Sequence, residues 1–285
     1  MLSEGVRYML IATFTFTLMK VCVKLIPHIP AIEIIFFRSV ISLVISLYFL
    51  NNQKVSVWGN NKPVLVLRGV TGAIALITYF SLLQQIPLAT ASTLQYLAPI
   101  FSAILGVFLV KEKVRSWQWV FFAMSFAGVV VVQGFDPRIS MVHLLMGIGA
   151  SLFMGFAYNF VRMLKDTEHP LVIIFYFPLI LLPISGVWSS LNWVQPIGWD
   201  WVVLFAVGIF TQMAQYFMTK SYQTERLSKV SILNYIGIIY ALGFGWLIFD
   251  ESFNLMTYLG MGLVLSGVVA NVVLTNLDKK NSVTK

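Results

Sequence analysis

Charge is what this sequence has least of. Of its 285 residues, 11% are Asp, Glu, Lys or Arg, while 59% are hydrophobic. A soluble domain carries about 25% charged residues, so a water-facing globule is excluded and an all-α, polytopic membrane protein is expected. Cysteine is almost missing: Cys22 stands alone, which excludes an intrachain disulfide. Histidine is scarce, and His28, His143 and His169 all fall in predicted loops. No histidine pair has metal-ligand spacing, and none sits where it could activate an intramembrane nucleophile. Asp136, Asp166, Asp200, Asp250 and Asp278 fall in loops as well, so the paired mid-membrane carboxylates of an aspartyl protease are lacking. A membrane-embedded enzyme is left as a distant alternative; no catalytic residue, metal site or cofactor is expected. A cleavable signal peptide is also lacking, because the first apolar run is long, is interrupted by Lys20 and Lys24, and precedes no convincing cleavage site.

What is present is a succession of apolar runs. A helix needs roughly 20 apolar residues to span a bilayer, and ten segments can be drawn: 8–26, 31–50, 63–85, 88–110, 116–133, 142–163, 170–189, 200–221, 228–249 and 255–275. The connections are short and carry breakers, as in Pro27-His28-Ile29-Pro30 and Gly134-Phe135-Asp136-Pro137. The net charge of +8 invites a nucleic-acid reading, but the basic residues come in small groups between apolar runs. They are a topology signal and no nucleic-acid partner is expected. With the N-terminus inside, the cytoplasmic side collects Arg7, Lys54, Lys62, Arg68, Lys111, Lys113, Arg115, Arg162, Lys165, Lys220, Arg226, Lys229, Lys279, Lys280 and Lys285. Both termini are therefore expected in the cytoplasm, in a bacterial inner or plasma membrane.

The chain also repeats itself. Residues 92–129 lie on 231–268 without a gap: Ser92 meets Ser231, Gln95 meets Asn234, Tyr96 meets Tyr235, Gly106 meets Gly245, Glu112 meets Glu251 and Gly128 meets Gly267. Five segments per half is an odd number, so the second half enters from the opposite side. The reading is two inverted five-helix halves, 1–137 and 138–277, around a central cavity, with a cytoplasmic tail at 278–285. The run Glu33-Ile34-Ile35-Phe36-Phe37-Arg38, the Arg68-Gly69 pair opening the third segment, and the run from Ile86-Pro87-Leu88-Ala89-Thr90-Ala91 through Pro99 to Glu112 resemble the drug/metabolite transporter superfamily, EamA-type family. The resemblance covers roughly 8–275 and implies a ten-helix carrier of a small organic metabolite. It does not name the solute, since that family carries amino acids, nucleobases, organic anions and nucleotide sugars alike.

Polar residues inside apolar segments narrow the site. A charge at the bilayer centre costs at least ~2.5–3.5 kcal/mol, so such charges are functional candidates. At 1.5 Å rise per residue, Lys20 and Arg38 lie about 9–10 Å below the outer ends of adjacent segments. Lys24 and Arg68, nearer the faces, read as snorkelling side chains, and Glu33 is the acid placed to neutralise Arg38. Thr13, Thr17, Lys20 and Lys24 form one polar stripe turned from lipid. Gln95 with Tyr96, and Asn234 with Tyr235, occupy repeat-equivalent places that serve as a substrate cradle or as a helix clamp. Tyr79, Tyr158, Asn159, Gln212 and Gln215 complete the candidate substrate-binding set. Gly262, Ser266 and Ala270, with Ala123 and Ala127, read as close-packing faces or a weak dimer interface, so a monomer or weak homodimer is expected. Pro99, Pro178 and Pro183 are expected to kink their helices.

A secondary carrier working by alternating access follows from these features. The net positive interior suits a carboxylate-bearing solute, an organic anion or an amino-acid-like molecule, moved by exchange or facilitated diffusion. Glu33 is the one candidate for proton coupling. The competing reading is a cationic or zwitterionic solute, such as S-adenosylmethionine or an organic cation, held by Tyr79, Tyr96, Tyr158, Tyr216 and Tyr235.

Overall fold

The computed structural model describes residues 3–109, 116–164, 166–224, 233–234 and 236–283, and among them the regular elements are helical. They are α1 (Glu4–Leu25), α2 (Ala31–Asn52), α3 (Lys62–Gln85), α4 (Leu88–Gln95), α5 (Ala98–Leu109), α6 (Ser116–Phe135), α7 (Met141–Met163), α8 (Pro170–Leu191), α9 (Asp200–Thr224), α10 (Ile236–Phe249) and α11 (Leu255–Val283). Apolar runs of this length become helices because hydrocarbon leaves no partner for an open N–H or C=O. α1, α2, α3, the α4–α5 pair, α7, α8 and α9 are long and apolar enough to cross a membrane; α6, α10 and α11 carry shorter apolar stretches. Starts are marked by the expected chemistry. Pro63 and Pro170 sit in first turns, Asn61 accepts from the Val64 N–H, and Ser140 with His143 forms a reciprocal cap on α7.

The fourth segment departs from expectation. In place of one kinked helix over 88–110, the chain forms α4 and α5 with a tight turn at Tyr96 and Leu97. Pro99 has no N–H to return to the Gln95 carbonyl. Tyr96 and Leu97 therefore close shorter bonds, Tyr96 N–H to Thr93 O at 3.1 Å and Leu97 N–H to Leu94 O at 3.1 Å. Pro178 and Pro183 lie inside a continuous α8. Glu112 and Tyr235 lie outside the described residues.

Packing follows an exchange pattern. α1 packs on α9, and α7 packs on α3; α2 packs on α9, and α8 on α3; α2 pairs with α8, α4 with α10, and α6 with α11. The α6–α11 contact corrects the reading of the small residues. A Cβ on Gly128 would sit 2.7 Å from the Gly260 carbonyl and the Val264 nitrogen, and one on Gly267 would sit 2.8 Å from the Phe121 carbonyl. Backbones meet there, and Ser125 donates 3.3 Å to the Val264 carbonyl. Gly262 meets nothing within 4 Å, and Ala123, Ala127 and Ser266 are exposed. The close-packing face is thus about half a helix turn from the one read off the four-residue spacing, because that spacing does not say which small face points inward.

One end of the bundle is laced with polar contacts. Lys24 Nζ lies 2.6 Å from Glu251 and donates 2.7 Å to the Ile86 carbonyl. Both Glu251 oxygens accept from the Leu88 N–H at 2.9 Å, at the start of α4 where a negative charge is favoured. His28 meets Asp200 at 3.0 Å, and Arg138 binds Asp136 and the Ser252 carbonyl. Hydrogen bonding to Asp136 holds the Arg138 proton above its already high ordinary value. At the opposite end Glu168 accepts from the Asn60 and Asn61 N–H groups, and the Tyr176 hydroxyl donates 2.7 Å to the Trp58 carbonyl. Lys24 therefore does not snorkel: Glu251, from the far end of the chain, is its partner.

Candidate functional site

The polar stripe of α1 faces inward, with Thr13, Thr17 and Lys20 all buried. Lys20 is 6% exposed. Its ammonium donates 3.4 Å to Ser92 Oγ and lies 5.6 Å from the Tyr79 ring centroid and 5.9 Å from that of Tyr96. Two ring faces thus supply the negative potential that a desolvated cation requires. The Tyr96 hydroxyl donates 2.6 Å to the Asn234 carbonyl, while Thr13 Oγ1 lies 3.4 Å from Asn234 Oδ1. This junction is possible only beside a glycine, because a Cβ on Gly237 would lie 2.2 Å from Tyr96 Oη.

A second group surrounds Arg38, which is 4% exposed. Its Nε donates 2.9 Å to Thr211 Oγ1, and its guanidinium lies 5.7 Å from the Phe80 centroid and 5.4 Å from that of Phe177. The same Phe177 ring carries Arg68 at 4.4 Å. α3 comes this near because Gly72 has no side chain: a Cβ there would lie 2.8 Å from the Phe177 ring. Arg38, Ser42, Arg68, Phe177, Thr211, Gln212 and Gln215 line a narrow pocket. Gln212 Nε2 donates 3.2 Å to Ser46 Oγ. Arg68 Nε and Nη1, Gln212 Oε1 and Ser42 Oγ are buried with no hydrogen-bond partner among the described residues.

Two expectations about charge are corrected here. Arg68 does not reach for the membrane face; its guanidinium is turned into the pocket. Glu33 does not neutralise Arg38. It is fully buried in the first turn of α2, where its Oε2 accepts 3.0 Å from the Val194 N–H. Five residues advance a helix by about 7.5 Å and about 140°, which turns Glu33 away from Arg38 toward the α8–α9 connection.

The candidate residues therefore fall into groups. Lys20, Tyr79, Tyr96 and Asn234 converge, as do Arg38, Gln212 and Gln215. Tyr158 stands within electrostatic reach of both Arg68 and Tyr96. Gln95 and Asn159 belong to neither. Gln95 Nε2 meets Met154 Sδ at 3.7 Å, and Asn159 donates 2.9 Å to the Ser102 carbonyl, tying α7 to α5. Tyr216 stacks on Phe49 at 6.5 Å. Ser42, Arg68, Phe177 and Thr211 were not among the sequence candidates. The four-residue step from Arg68 to Gly72 is the one local sign that Arg68 faces a packed neighbour rather than water.

The chain matches the model of the EamA-like transporter family twice, over residues 3–133 and 141–273. It is 31% identical over 275 residues to a pseudopaline exporter of Pseudomonas aeruginosa, covering 95% of this chain and 96% of that protein. It is 27% identical over 291 residues to solute carrier family 35 member G1 of Homo sapiens, covering 94% and 78%. A solved crystal structure shares the fold, with a TM-score of 0.70 at 19% identity over 97% of this chain and 99% of that one.

Proposed function

Because the chain belongs to the EamA-like transporter family, we propose that this membrane transporter is a secondary carrier of a small carboxylate-bearing metabolite, cycling by alternating access. That it is an integral multi-pass transporter and not an enzyme follows from the family and its relatives. The finer reading is carried by one observation: Lys20, Arg38 and Arg68 are gathered inside the bundle, and among the described residues none has a carboxylate in ion-pairing range. Buried charge without a counter-charge is costly, so a solute that brings the counter-charge is favoured at this place. A carboxylate on an organic anion or amino-acid-like molecule supplies such a charge.

Alternating access rests on two inverted halves, 1–137 and 138–277, each of five membrane segments. Three observations support it. The family model fits each half separately. The helix pairs exchange partners between halves, and Gly128 packs on 260 and 264 while Gly267 packs on 121 and 125, the repeat-equivalent positions. His143 at the start of α7 meets Gln85 at 3.2 Å, beside the Ile86 carbonyl that Lys24 reaches from the end of α1. α1 thus finishes where α7 begins, as inversion requires. The charge bias supports a cytoplasmic position for both termini, and likeness to a named exporter supports outward transport.

The aromatic-cage reading is weaker here, because Lys20 already occupies the faces of Tyr79 and Tyr96. The deciding experiment is counterflow in proteoliposomes with a panel of radiolabelled organic anions, amino acids and organic cations. Accumulation of carboxylates and not of cations is expected; uptake confined to cations would reverse the choice.

A further inference from the structure

The pocket of α2, α3, α8 and α9 holds more positive charge than one carboxylate can offset. Arg38 and Arg68 share the Phe177 ring, at 5.4 and 4.4 Å, and lie within electrostatic reach of each other. A lone carboxylate taken by either would leave the other guanidinium buried and repelled. The remaining wall is polar and unsatisfied. Gln212 and Ser42 are 7% and 6% exposed, yet Gln212 Oε1 and Ser42 Oγ have no partner among the described residues, nor do Arg68 Nε and Nη1. Polar atoms sealed from solvent in this way are normally paired; Arg68 Nε and Nη1 and the Ser42 hydroxyl can donate to an occupant of this narrow space, while Gln212 Oε1 can only accept. Arg68 keeps its Nε and Nη1 donors unpartnered among the described residues, while Arg38 has committed Nε to Thr211. A guanidinium offers five donors in a planar fork suited to carboxylate or phosphoryl oxygens.

We propose that Arg38 and Arg68 together bind a doubly charged anionic group, a dicarboxylate or a phosphate ester, with one negative charge for each guanidinium. This rests on the carrier reading above and sharpens its substrate class from one acid to two charges.

The test is thermal stabilisation of the detergent-purified full-length protein, titrated with succinate, glycerol 3-phosphate, butyrate and choline. Succinate or glycerol 3-phosphate should stabilise the wild type at about ten- to a hundred-fold lower concentration than butyrate, the worth of one further charge-assisted hydrogen-bonded contact. Which of the two dianions acts identifies the carboxylate or the phosphoryl form. Arg68→Gln should reduce that advantage to about unity while leaving butyrate within a few-fold. Arg68→Lys, which keeps the charge without the fork, should fall between. Stabilisation by neither dianion, or a dianion advantage that survives Arg68→Gln, overturns the proposal. If butyrate still binds in that event, the single-carboxylate carrier stands; if choline alone binds, both readings fall. Should Arg68→Gln fail to fold, an unaltered dianion advantage in Arg68→Lys overturns it equally.

Discussion

Lys20 and Arg38 are buried cations of different kinds, and their surroundings say which one a solute can displace. Lys20 is a compact charge between two tyrosine faces; Arg38 has one N–H pledged to Thr211 and the rest of its fork beside the pocket. Arg38→Gln should therefore reduce transport of the native solute by about ten- to a hundred-fold, and Arg38→Lys should weaken it less, with expression and melting temperature close to wild type. Counterflow and thermal melting, run side by side, separate this from a structural role, in which both would decline together. Transport at wild-type affinity in an Arg38→Gln, Lys20→Gln double variant would refute the anion reading. The Lys24–Glu251 pair belongs to stability instead. Its carboxylate also receives the Leu88 N–H, so Glu251→Gln should lower the melting temperature more than Lys24→Gln, on the scale of the ~3–5 kcal/mol lost when one member of a buried pair is removed. Lys20 and Arg38 were legible in the sequence because a charge deep in an apolar run is conspicuous. Arg68 and Glu251 were not, because residue counts give depth along one helix and say nothing of the neighbour's face.

Helix existence was readable, and helix orientation about its own axis was not. Long apolar runs bounded by Pro and polar caps left little choice of element, and most segment limits fall within a few residues of the helices seen. The break between α4 and α5 was under-read, although Pro99 contains its cause. The inward face of α11 was misread, because Gly260 and Gly267 on one side and Gly262 and Ser266 on the other offer small residues at similar spacing. The two faces make a controlled pair of substitutions. A Cβ on Gly260 would lie 2.9 Å from the Gly128 carbonyl and from the Val132 nitrogen, where neither backbone can yield cheaply. Gly260→Ala should cost about 1–3 kcal/mol by overpacking. Gly262→Ala, with open space around it, should be neutral or stabilise by up to about 1 kcal/mol, since alanine is the better helix former. Melting in detergent compares them directly, and equal losses would mean that α11 is rotated from the arrangement described.

Across the whole molecule, the bilayer did most of the specifying. The succession of apolar runs made a multi-pass membrane chain readable before any contact was known, whereas the identity of the bonded end was not. That end is drawn together by contacts between the first and second parts of the chain: Lys24 with Glu251, His28 with Asp200, and the Val194 N–H with Glu33. Each links residues far apart in sequence, which no local pattern announces. If the halves are inverted, the α8–α9 connection lies at this end, outside the cell, and the α7–α8 connection lies at the other, in the cytoplasm. Gln195 in the former and Asp166 in the latter are exposed, so each can carry a cysteine without disturbing a packed contact. In a background with Cys22→Ser, Gln195→Cys should react with a membrane-impermeant thiol reagent applied to intact cells, and Asp166→Cys only after permeabilisation. Asn60 and Asn61 bond to Glu168, so the loop carrying Lys54 and Lys62 and the α7–α8 connection after Arg162 share one end, which is why that end is assigned to the cytoplasm. Labelling of both positions from the same side would break the inverted arrangement, and with it the symmetry on which alternating access depends. Labelling in the reverse order would keep the two halves and overturn only the assignment of the termini.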